Sequence, residues 1–200
     1  VSEHQDPSRP LILASTSRYR RELFSRLALE YEAVDPKLEE DVDPRLDPLE
    51  QIRLFARQKA EAVRALGRTK ALIIGSDQGV ILAGQLLGKP GTAEKAEAQL
   101  AALSGGTHLL ATAVCVLDAA SGQIEEATDS SWLHFRTLSP AAIRRYVALD
   151  SPLDCAGSFK LESLGIALFE KLEGSDYTGI MGLPLITLVE LLSRFGVSPL

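Results

Sequence analysis

Short apolar runs alternate with stretches of helical spacing along this chain, and that alternation restricts it to a mixed α/β fold. Leu11 to Ser15 and Ala71 to Ser76 are apolar runs of strand length. Between them, Arg18 to Leu29 carries Leu23, Phe24 and Leu27 at helical spacing, and Leu49 to Leu66 carries an apolar stripe of Ile52, Ala56, Val63 and Leu66. Tyr31 to Val34 adds a short strand, so the first third of the chain reads as strands joined by helical crossovers. His108 to Ala119 and Ile124 to Arg136 read instead as two long strands joined by a turn at Ser121-Gly122.

The remaining elements follow from local signals. Ser17 is placed to cap the first helix, its hydroxyl accepting from a first-turn amide. Asp35 to Pro48 is acidic and holds three prolines, which predicts a surface loop. Val80 to Gly88 reads as a hairpin around Gly84, Ala93 to Leu103 as a helix ended by Gly105-Gly106, and Pro140 to Leu149 as a helix with proline near its first turn. Ile166 to Leu172 should be a strand and Pro184 to Phe195 a terminal helix. Residues 1–10 read as a loose tail, and residues 11–200 as one domain.

Bulk properties exclude several classes. With 200 residues and a hydrophobic share of 46%, the chain can build a sizeable core. A net charge of -6 argues against non-specific nucleic-acid binding, which needs a basic surface. No run of about 18 apolar residues suggests a membrane span. VSEHQDPSRP at the start lacks a signal-peptide core. The two cysteines, Cys115 and Cys155, suggest buried thiols in a reducing compartment, and the expected location is cytoplasmic.

Four groups of residues bear chemistry. Ser15-Thr16-Ser17-Arg18-Tyr19-Arg20-Arg21 spans a strand-to-helix junction, where free amides, hydroxyls and guanidinium groups suit a phosphate; the alternative is a capped helix with solvated arginines. Lys59 falls on the apolar stripe of its helix and must snorkel, pair with an acid or face a ligand. Asp77, in Gly75-Ser76-Asp77-Gln78, would emerge beyond the carboxyl end of a buried strand, to bind a cation, accept a proton or cap a turn. Lys89, between Gly88 and Pro90, either aims a point charge at a phosphate or ends a solvated hairpin. There is no P-loop, and His4, His108 and His134 lack metal-ligand spacing. Ser158 sits in no nucleophile elbow. Oxygen-ligated Mg²⁺ or Mn²⁺ and a water nucleophile fit what is left.

Taken in order, LILASTSRYRREL, Glu39-Glu40, FARQKA, IIGSDQ, GKP, LSGG, HFR, CAGSFKLES and GLPL resemble the Maf family of nucleoside triphosphate pyrophosphatases. The resemblance runs from Leu11 almost to the end of the chain. It implies an elongated, twisted mixed α/β sheet flanked by helices, of the Maf/ITPase-like kind, with two lobes around a deep cleft and usually a homodimer. It also implies hydrolysis between the α and β phosphates with a divalent cation. Asp77 matches the proton acceptor, or a metal ligand. Ser15, Arg20, Lys59 and Lys89 match phosphate-side positions, Arg21 completes the arginine pair, and Glu40 matches an acid near the metal. Arg18 departs from the family, which commonly has proline there.

Three positions bear on the base: Tyr19, Gln78 and Glu162. Gln78 together with Phe159-Lys160-Leu161-Glu162 resembles the branch acting on 7-methyl-GTP. The branch acting on dTTP and UTP usually has threonine after the aspartate and glutamine at the position of Glu162. A Tyr19 ring would favour the positively charged methylated base by about 0.5–2 kcal/mol, and a Glu162 carboxylate could accept from the N1 and N2 edge of guanine. A noncatalytic role in cell division is the alternative of another class, suggested by the septum-formation phenotype behind the family name.

Overall fold

The computed structural model describes residues 9–43 and 45–200. His4 and most of the expected tail lie outside the described residues. Arg9 and Pro10 are tied down: Arg9 Nη1 donates to the Phe195 carbonyl at 3.2 Å, its Nη2 lies 3.1 Å from Asp118, and the Pro10 carbonyl accepts from the Leu72 amide.

The chain runs β1 (Leu11–Ala14), α1 (Arg18–Phe24), β2 (Tyr31–Val34), α2 (Pro48–Ala65), β3 (Leu72–Leu82), β4 (Gln85–Leu87), α3 (Ala93–Leu103), β5 (Thr107–Asp118), β6 (Ile124–Phe135), α4 (Pro140–Asp150), β7 (Phe169–Glu173), α5 (Tyr177–Ile180) and α6 (Leu185–Ser193). One sheet takes the order β2-β1-β3-β5-β6-β7, with β4 also on β3. The pairs β1/β2 and β1/β3 are parallel and the rest antiparallel. This is the mixed α/β fold that the alternation of runs implies.

Crossover geometry sets which face each helix covers. The chain leaves β1 to one side to reach β2, then returns past β1 to β3, and right-handed crossovers of opposite sense put α1 and α2 on opposite faces. Accordingly Leu23 and Phe24 of α1 pack with α6 against Leu11, Leu13, Leu72 and Ile74, whereas Ile52, Ala56, Ala60 and Val63 of α2 pack against Ile12, Ile73, Ala111, Ala113 and Cys115. A third core gathers at the other end of the sheet around Val80, Phe135, Phe159 and Phe169, closed by α3 and α4. Along β3, residues 72–74 belong to the first two cores and Val80 to the third. Asp77 falls between them.

Several boundaries shift for local reasons. α1 stops at Phe24 and tightens into a 3₁₀ turn over Ser25–Leu27, ended by Ala28 at φ 53°, so the expected helix to Leu29 is cut short. Leu66 is the C-cap of α2 and is exposed, so it leaves the buried stripe. The strand expected from Ile166 begins at Phe169, because Leu164–Leu168 form a 3₁₀ segment in which a Cβ on Gly165 would meet the Lys160 carbonyl at 2.3 Å. The β3–β4 turn has Ala83 and Gly84 both at positive φ, as a two-residue hairpin turn requires.

The first turn of α6 has no side-chain cap from Pro184. Its amides are satisfied from a distance: Asp176 Oδ2 accepts from Ile186 N at 2.8 Å and Thr178 Oγ1 from Leu185 N at 2.8 Å, while Asp176 Oδ1 also accepts from the Thr178 amide and hydroxyl. Asp176→Ala orphans buried donors and is expected to cost about 2–4 kcal/mol. Urea unfolding checks this, and an unchanged midpoint contradicts it.

Candidate active site

The expectation that the strand ends at Asp77 is corrected by the structure. β3 continues to Leu82, and what ends is its parallel neighbour. β1 pairs with β3 only as far as Leu13↔Ile74, and β4 takes up the same edge at Val80↔Leu87. Between them, residues 75–79 face β5 on one side and, among the described residues, have no strand on the other. This interruption of the sheet edge, beyond the carboxyl end of β1, is where the charged side chains gather.

Lys59 reaches it because α2 lies almost on the backbone of β3. A Cβ on Gly75 would stand 2.0 Å from the Ala56 carbonyl oxygen, so only glycine allows this approach. One turn further along α2, Lys59 Nζ donates to Asp77 Oδ1 at 2.5 Å, pairs with Glu40 Oε1 at 2.7 Å and approaches the Ser76 carbonyl at 3.4 Å. Of the three readings of Lys59, the pairing with acid is the one observed. Lys59 and Asp77 are each 7% exposed. Glu40 comes from the acidic loop, which is held by the Asp43 amide donating to Gln51 Oε1 at 2.8 Å.

Charge in this cluster is balanced at close range. Burial pushes the Asp77 carboxyl above the ordinary aspartate range; Lys59 and Arg20 oppose the shift, and Glu40 adds to it. For Glu40 burial acts the same way, but Lys59, aided by Lys89 and Arg20, outweighs it and holds the carboxyl below its usual value. Burial likewise pulls Arg20 down, against Asp77 and Glu40. Lys59 is paired with Glu40, Arg20 and Lys89 act on it through their charge, and Lys89 itself is exposed.

The strand-to-helix junction contributes less than its composition suggests. Ser15 Oγ accepts from the Ser17 amide at 3.1 Å and Ser17 caps α1 by accepting from Arg20 N, as expected. Arg20 turns inward, its Nε donating to the Gly182 carbonyl at 2.8 Å. Arg21 is exposed, and its side chain makes no hydrogen bond or ion pair among the described residues. The arginine pair is thus split, and only Arg20 joins the cluster.

Of the three base-related positions, two meet. Half-buried Tyr19 lies beside Glu162; burial, then Glu162, Cys155 and Asp154, push its phenol up to about 12. Gln78 is engaged elsewhere, its amide nitrogen donating to the Gly179 and Ile180 carbonyls at 2.8 and 3.0 Å and to Thr112 Oγ1 at 3.0 Å. Two acceptors are carbonyls, so the orientation of this amide is fixed by its partners. Gly75 and Gly182 fall inside quoted motifs, IIGSDQ and GLPL, but neither was singled out for the site, and Thr112 has no motif to announce it.

Among the described residues there is no group of three or more His, Cys, Asp or Glu side chains able to hold a metal. The donors that are present, Glu40 and Asp77, are two carboxylates already gathered around one cation, the Lys59 ammonium. Two carboxylates completed by phosphate oxygens and water suit Mg²⁺ or Mn²⁺. No helix among the described residues is long and apolar enough to cross a membrane.

The sheet is thus mixed and interrupted at an edge where Glu40 and Asp77 meet Lys59, within the electrostatic reach of Arg20. The Maf-like protein family matches residues 10–195, and the chain belongs to that family. It is 47% identical over 191 residues to the 7-methyl-GTP pyrophosphatase of Pseudomonas putida, covering 94% of this chain and 97% of that one. It is 46% identical over 187 residues to the 7-methyl-GTP pyrophosphatase of Alkalilimnicola ehrlichii, covering 94% of each. Among solved structures, the Staphylococcus aureus Ham1 protein is similar over 64% of this chain and 72% of that one, with 17% identity and a TM-score of 0.45.

Proposed function

We propose that this chain hydrolyses the α–β phosphoanhydride of 7-methyl-GTP to 7-methyl-GMP and diphosphate. The observation that carries this reading is Lys59 held between Asp77 and Glu40, with Arg20 and Lys89 close by, at an open sheet edge. The names of the relatives support the same reaction.

A triphosphate repels its nucleophile, so its charge must be balanced before water can attack. Arg20, Lys59 and Lys89 supply fixed positive charge, and their stabilisation grows as charge builds on the departing diphosphate. The water oxygen bonds to the α phosphorus as the bond to the α–β bridging oxygen breaks, and the water proton passes to Asp77. Lys59 fixes Asp77 Oδ1, while Oδ2 has no hydrogen-bond partner among the described residues and is open to that proton. A divalent cation on Glu40 and Asp77, completed by phosphate oxygens, would add charge neutralisation and acidify water.

Tyr19 and Glu162 form the side that meets the base. The ring offers a face to the charged methylguanine, and the carboxylate an acceptor for its N1 and N2 edge. The test is diphosphate release from 7-methyl-GTP, GTP, UTP and dTTP with Mg²⁺ or Mn²⁺. Wild-type protein should favour 7-methyl-GTP, and preference for UTP or dTTP would favour the pyrimidine reading. Glu162→Gln should lower the ratio of 7-methyl-GTP to UTP turnover by about tenfold, the size of one charge-assisted hydrogen bond. An unchanged ratio removes Glu162 from base recognition.

A further inference from the structure

We infer that the turn Gly179–Gly182 is a positioning element for Arg20, and that Ser76, Gln78 and Thr112 serve the reaction through this turn. The inference rests on the reading of Arg20 as a phosphate ligand.

The Gly182 carbonyl accepts two hydrogen bonds, from Arg20 Nε at 2.8 Å and from Ser76 Oγ at 3.0 Å. Anchoring Nε fixes the guanidinium plane and leaves its outer fork; Nη1 and Nη2 have no hydrogen-bond partner among the described residues. A fork held in this way is suited to two oxygens of one phosphate group. Gly182 sits at φ 110°, a conformation that side chains rarely adopt, so its carbonyl direction is set by a residue that only glycine replaces without strain.

The other end of the turn is clamped from the sheet. Thr112 Oγ1, on β5, donates to the Gly179 carbonyl at 2.8 Å and accepts from Gln78 Nε2 at 3.0 Å. Gln78 adds its own bonds to Gly179 and Ile180. Gln78 and Thr112 are cross-strand partners, and Ser76 is two residues from Gln78 on the same face. Ser76 and Thr112 are both fully buried. Such side chains touch no substrate. Ser76 and Thr112 are therefore positioning residues, and the Gln78 amide nitrogen belongs to the same clamp.

Binding of inorganic diphosphate with Mg²⁺, measured by titration calorimetry on the full chain, tests this without requiring turnover. Thr112→Val and Ser76→Ala should each weaken binding about two- to tenfold, as expected for one lost neutral hydrogen bond, and Thr112→Ser should restore it. In an Arg20→Gln background both effects should vanish, because residues acting through one group are not additive with its removal. If Thr112→Val fails to fold, Ser76→Ala carries the same cycle. Effects that multiply with Arg20→Gln, wild-type affinity in both single variants, or no diphosphate binding by the wild type would each overturn the inference. Wild-type protein that binds diphosphate but leaves 7-methyl-GTP intact would overturn the substrate assignment alone.

Discussion

Asp77→Asn is expected to lower turnover of 7-methyl-GTP about 100- to 10,000-fold, the usual contribution of a positioned general base, while leaving the protein folded. The replacement keeps shape and the oxygen that accepts from Lys59, and Lys59 keeps its ion pair with Glu40. Linkage gives a second readout with a definite sign. Burial raises the Asp77 pKa in the folded state above its ordinary value of 3.8, so the folded protein binds this proton more tightly than the unfolded chain does. Stability from that proton is fully present below the unfolded value and lost as pH rises through the folded one. At neutral pH the neutral asparagine variant should therefore be no less stable than wild type, and wild type should gain on it as the pH falls. Parallel urea titrations at neutral and acidic pH, with diphosphate release assays, check both parts. Full activity in the variant would remove Asp77 from the chemistry, and a large loss of stability at neutral pH would make it structural.

Gly75→Ala is expected to destabilise the fold by about 3 kcal/mol or more, at the upper end of overpacking effects. Its Cβ would meet the Ala56 carbonyl oxygen at 2.0 Å, the Ala56 carbonyl carbon at 3.1 Å and the Ala60 amide at 3.1 Å, all backbone atoms of α2. Backbone of an 18-residue helix cannot step aside locally, so α2 must lift from β3 and carry Lys59 away from Asp77. Gly79→Ala is the matched control: its Cβ would come within 2.1 Å of Leu86 Cδ1, the end of a side chain that can turn away. About 1 kcal/mol is expected there. Equal midpoints for the two variants in urea would contradict the close approach of α2 as the device that positions Lys59.

Local chemistry made much of the fold readable. Ser17 caps α1, Gly84 closes the β3–β4 hairpin, and the two long strands β5 and β6 pair over their length, each for reasons contained in a few neighbouring residues. Lys59 stood out because a charge on an apolar stripe requires a partner. What the spacing could not supply was the partner's location: Glu40 and Asp77 lie 19 and 18 positions away along the chain in opposite directions. Nor could it separate Arg20 from Arg21, since that depends on the Gly182 carbonyl, which arrives from the far end of the sequence. Gln78 illustrates the same limit. Its place after Asp77 is plain in the sequence, but not that its amide nitrogen meets the carbonyls of α5, 101 and 102 positions further along the chain.

The position of bond cleavage is the most direct test of the account. ³¹P NMR of wild-type protein with 7-methyl-GTP should show 7-methyl-GMP and diphosphate formed in equal amounts, with no orthophosphate. Appearance of 7-methyl-GDP and orthophosphate would mean that attack falls at the γ phosphate, and the arrangement of Lys59, Asp77 and Glu40 proposed for the α phosphate would be wrong.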